Sequence, residues 1–126
     1  MKSQLVKSLL CLVTFVIFVP FSFADSNPSQ VMAEMLMEMN HFPSVEQKKT
    51  LEAIGKSESS SSAEKTIATA IHNVAHKAKP DDVAALNKIS ADKEATDAEK
   101  ILASAVVGFN HKASAEAKEK LQTISK

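Results

Sequence analysis

Two hydrophobic patterns divide the chain. From Leu9 to Phe23 the residues are apolar almost without interruption, broken only by Thr14, Pro20 and Ser22. Farther on, apolar positions are spaced by three and four, as in Ile67, Ala70, Ile71, Val74 and Ala78, with polar residues between them. That spacing draws one stripe along a helix and predicts an amphipathic element that buries a single face.

The second pattern repeats. Residues 56–90 align without a gap with 91–125 and share 11 identities in 35, where composition alone gives about 3. A more diverged copy precedes them, and four positions are identical in all three: Ala33, Ala68 and Ala103; His41, His76 and His111; Leu51, Leu86 and Leu121; Ile54, Ile89 and Ile124. Each unit reads as two helices. The stripe of the first helix is Met32, Met35, Leu36 and Met39 in the first unit and Leu102, Ala105, Val106 and Phe109 in the third. Start signals accompany the stripe: Ser61 with Glu64 and Thr96 with Glu99 have capping-box spacing. Pro80, Ser44 and Ser114 mark the starts of the second helices. The expected fold is all-α, with about six helices in three tandem 35-residue hairpins forming a short helical array or a compact bundle. A lone hairpin buries too little to offset its ordering entropy, so the units are expected to fold together. The unit resembles the tetratricopeptide repeat in length alone, since the Trp-x-x-Leu-Gly-x-x-Tyr pattern of that repeat is absent.

The first block changes the compartment. Lys2 and Lys7, an apolar stretch of about 15 residues and the closing Ser22-Phe23-Ala24 have the layout of a secretory signal, too short for the roughly 20 residues of a membrane-spanning helix. The expected division is a signal peptide over 1–24 and a helical domain over 25–126, in units of approximately 25–55, 56–90 and 91–126. Export to the periplasm or the exterior follows, with no stable membrane span after cleavage. Cys11 leaves with the leader, so no disulfide is expected.

Charge narrows the partners. The 15 basic residues are all Lys, and removal of Lys2 and Lys7 leaves 13 against 15 acids, a net charge of −2. Such a chain lacks the basic excess of a nucleic-acid binder and the guanidinium fork that grips phosphates. Two glycines, Gly55 and Gly108, are too few for a phosphate-cradling loop. No nucleophile elbow or zinc-protease motif occurs, so no enzyme activity and no cofactor is expected.

Three groups of side chains remain as candidates. His41, His76 and His111 recur in step, a possible metal array or pH sensor displayed at intervals. The simpler reading makes each a cap in the last turn of a first helix, where an imidazole meets the free carbonyls. His72 and His76, four apart, have the spacing of half a metal site. Met32, Met35, Met37 and Met39, near His41, have the soft donors of a copper carrier, but three of them align with plain core positions. The leading expectation is an exported non-enzymatic repeat protein that binds another protein through Met32, Met35, Met37, Met39 and Phe42, because a terminal unit lacks one neighbour. The alternative is a periplasmic metal-binding protein that uses Met32, Met35, Met39, His41, His72 and His76.

Overall fold

Six short helices form because their starts are capped and their apolar residues keep helical phase. The structure is a computed structural model that describes residues 26–126. The proposed signal peptide, residues 1–24, and its cleavage point after Ala24 lie outside the described residues. The helices are α1 (Pro28–Glu38), α2 (Val45–Lys56), α3 (Ser62–His72), α4 (Pro80–Ala91), α5 (Asp97–Val107) and α6 (Ala115–Ile124). Both capping boxes expected from the sequence are formed, Ser61 with Glu64 and Thr96 with Glu99. Ser44 and Ser114 accept from Gln47 N and Ala117 N, and Gln47 completes a third box by reaching back to Ser44 N. Pro80 occupies the first position of α4, where its missing N–H removes no helical hydrogen bond.

The first helices stop short of the end of their apolar stripes, by one residue before Met39, six before Ala78 and two before Phe109. Met39, Asn73 and Gly108 end α1, α3 and α5, with backbone N–H groups returning to Met35 O, Thr69 O and Ser104 O. Val74 and Phe109 follow the helices yet stay buried, because the chain turns back toward the core after each helix end.

The three hairpins close into a ring. Helices α1, α3 and α5 touch one another in the centre, and each second helix packs on the first helix of the next unit: α2 on α3, α4 on α5, and α6 back on α1. Of the two arrangements left open by the sequence, the compact bundle is the one adopted. The repeat explains why one seam serves three times. Ala33, Ala68 and Ala103, inaccessible to solvent, hold equivalent places on the inner helices, where a methyl group lets the backbones approach. Met32, Ile67 and Leu102 fill the layer beside them, and Leu51, Leu86 and Leu121 enter from the outer helices, all 0–1% exposed. At one end of the ring Ser29 Oγ donates to Glu64 Oε1 (2.9 Å) and Ser61 Oγ donates to Glu99 Oε1, joining consecutive units. Glu99 is buried but satisfied, since Thr96 N also donates to it. The closing seam carries a further bond from Gln30 Nε2 to the Lys126 carbonyl.

Ring closure buries most of the expected interaction surface. With α6 on one side and α3 and α5 on others, the first unit is not a terminal unit, and Met32, Met35 and Met39 lie in the core at 0%, 8% and 3% exposure. Of the five residues assigned to that surface, Met37 is half-buried and Phe42 alone is well exposed, at 60%. Among the described residues no helix is long and apolar enough to cross a membrane.

Candidate functional site

Each first helix leads into a short turn, and the turns of all three units meet at one end of the ring. His41, His76 and His111 stand at their tips with φ of 66°, 68° and 63°. Among the described residues these are the positive-φ positions, and none is glycine. The left-handed region costs an ordinary L-residue about 1–2 kcal/mol, so three such residues at equivalent places need a compensating contact.

Part of that compensation is in the backbone. His41 N donates to His111 O (2.5 Å), His76 N to His41 O (2.7 Å) and His111 N to His76 O (2.7 Å). The three residues thus form a closed triangle in which each unit donates to one neighbour and accepts from the other. Cross-turn bonds brace the tips: Phe42 N to Asn40 O, Ala75 N to Lys77 O and Asn110 N to Lys112 O.

The imidazoles stand together on this triangle. Ring centroids are 5.2 Å apart for His41 and His76, 5.0 Å for His41 and His111, and 5.0 Å for His76 and His111, all edge to face. His76 Nδ1 and His111 Nδ1 are 3.2 Å apart, a contact in which one nitrogen donates and the other accepts. One ring nitrogen from each residue lies within 4.8 Å of the other two, and the residues are solvent-exposed. A point therefore exists within about 2.8 Å of all three nitrogens, against metal–imidazole bonds of about 2.0–2.1 Å.

The site corrects two readings of the histidines. They are not caps in a last helical turn, because the helices end at Glu38, His72 and Val107 and the histidines follow three or four residues later. Nor are they spread along an array: closure of the ring brings them to one point. His72, grouped with His76 on the assumption of one continuous helix, belongs elsewhere. It ends α3, and its Nε2 lies 3.2 Å from Glu52 Oε1 on α2. Of the metal-ligand set expected from the sequence, His41 and His76 come together; Met32, Met35 and Met39 are sealed in the core. His111, absent from that set, joins His41 and His76 in space, as its strict recurrence with them pointed to.

The rim of the site is unequal. The residue after each histidine is Phe42 in the first unit, Lys77 in the second and Lys112 in the third, all exposed. Val45, beyond Phe42, is 72% exposed. Comparison of the chain with known protein families, curated proteins and solved structures finds no match.

Proposed function

We propose that the protein binds a divalent transition-metal ion through His41, His76 and His111. The observation that carries this reading is the convergence of three imidazoles, one from each unit, on turns held by a closed triangle of backbone hydrogen bonds. Three imidazoles are a preorganised donor set for Zn(II), Cu(II) or Ni(II), and they leave a coordination position open. The cost of three left-handed histidines supports the reading, since asparagine or glycine would form the same turns with less strain. On this reading the protein is an exported metal-binding protein that works by binding and not by catalysis. The soft-donor copper site on methionine is set aside because its thioethers are buried.

Calorimetric titration with Zn(II), Cu(II) and Ni(II) tests the proposal. One equivalent of at least one ion is expected to bind with Kd below about 10 μM, and His111→Asn is expected to weaken it at least tenfold. Failure of all three ions to bind at that strength overturns it. A second reading, contact with another protein, is favoured by the exposed Phe42 and Val45 in the first unit. Phe42→Ser would leave metal affinity intact and abolish such a contact.

A further inference from the structure

Resting on the metal reading, we infer that the fourth position of the loaded site takes a small oxyanion, a carboxylate or a phosphate, supplied from solution. Three features lead there. The donor group is limited to His41, His76 and His111, so among the described residues no carboxylate joins it to fill the coordination sphere or neutralise the ion. The triangle lies at an exposed end of the ring, so the remaining position opens to solvent. The side chains that follow the histidines in two of the three units are the ammonium groups of Lys77 and Lys112, with Lys79 exposed two residues past Lys77.

A divalent ion on three neutral imidazoles keeps its full charge of about +2, because imidazole donates an electron pair and brings no negative charge. Lys77 and Lys112, exposed and next to His76 and His111 in the chain, add to that field. The carboxylates nearest in the chain, Glu38 and Glu46 beside His41, Asp81 and Asp82 beside His76 and Glu116 beside His111, are not in the donor group; Asp82 accepts from Asn73 Nδ2 (3.2 Å) and Glu116 from Lys120 Nζ (2.8 Å). An oxygen anion on the metal answers both demands, completing a tetrahedron and compensating the surrounding charge. Phe42 stands in the place of a third lysine, so the charge beside the three turns is unequal.

Cobalt is the reporter, because its visible absorption follows its coordination. The full chain is loaded with Co(II) and titrated with acetate and, separately, inorganic phosphate at constant ionic strength. Saturable spectral change with at least one anion is expected, with millimolar Kd. The double variant Lys77→Glu, Lys112→Glu is expected to bind the same amount of cobalt and to weaken the anion by about five- to tenfold. Lys56→Glu with Lys93→Glu, an equal change of net charge at or just past the far ends of α2 and α4, controls for overall charge and is expected to leave the anion affinity within twofold. Bound cobalt whose spectrum ignores both anions overturns this inference alone, as does an anion affinity equal in the rim variant and the native chain. Absence of bound cobalt overturns this inference, and failure of Zn(II), Cu(II) and Ni(II) to bind as well overturns the metal reading with it.

Discussion

Replacing His76 by asparagine separates a binding role for the histidine triangle from a purely structural one. Asparagine tolerates the left-handed region better than histidine does, so the turn and its backbone hydrogen bonds are retained. The variant loses two edge-to-face ring contacts, with His41 and His111, and the 3.2 Å Nδ1 contact. Each ring contact at an exposed site is worth about 0.5 kcal/mol, the low end for aromatic pairs, and the hydrogen bond about 0.5 kcal/mol. Relief of the positive φ returns about 0.5–1 kcal/mol. The net change is therefore a destabilisation of at most about 1 kcal/mol, a fall in Tm of no more than about 4–8 °C for a domain of this size. Urea and thermal unfolding followed by far-UV circular dichroism measure it. Leu86→Ala sets the scale for a true core position, with a loss of about 2–5 kcal/mol because Leu86 is inaccessible to solvent. A loss in His76→Asn that matches Leu86→Ala would show that the rings hold the fold, and would remove the argument that their strain serves a ligand.

Three further outcomes follow from local chemistry. Ser60 Oγ is buried with no hydrogen-bond partner among the described residues, and Ala95 stands at the equivalent place in the third unit, so Ser60→Ala is expected to stabilise by about 1 kcal/mol in urea unfolding. Lys79 is an N-cap whose side chain makes no capping bond, where its equivalents Ser44 and Ser114 both do; Lys79→Ser is expected to raise stability by about 1 kcal/mol in the same assay. On α6 the hydrogen bond from Lys120 Nζ (2.8 Å), and then its charge, holds the Glu116 carboxyl below its ordinary titration range. A carboxyl depressed in the folded state contributes stability above its unfolded value and loses it as pH falls through the folded one, so this small contribution fades in acid. In Lys120→Met the Glu116 midpoint, read by carbon NMR, is expected to move up toward the ordinary carboxylate range; an unchanged midpoint would remove the pair as its cause.

What the sequence discloses is what neighbouring residues decide. Ser61 with Glu64 and Thr96 with Glu99 start helices by satisfying their own backbone, and Ile67, Ala70 and Ile71 face inward because helical periodicity is local. The ends of the first helices are harder to read. A left-handed turn is ordinarily announced by glycine or asparagine at its tip, and here histidine holds that place in all three units, so the stripe reads through to Ala78 as continuous helix. Gly108 gives no help, because it caps α5 in a right-handed conformation. The larger omission is topological. A linear repeat carries no sign of whether its last helix returns to its first, and both the burial of Met32, Met35 and Met39 and the meeting of His41, His76 and His111 depend on the packing of α6 against α1.

The hydrogen-bonded triangle has a consequence for how the molecule comes apart. An open stack of repeats can fray from either end while its middle stays folded, because each unit answers only to its neighbours. Here no unit is an end unit, and the peptide groups of His41, His76 and His111 are all paired only when every hairpin is in place. A partly folded chain therefore has no partly formed site. Any ion that prefers the complete triangle acts on the folding equilibrium of all three hairpins at once, raising the stability of the whole ring by RT ln(1 + [L]/Kd) and acting as its clasp.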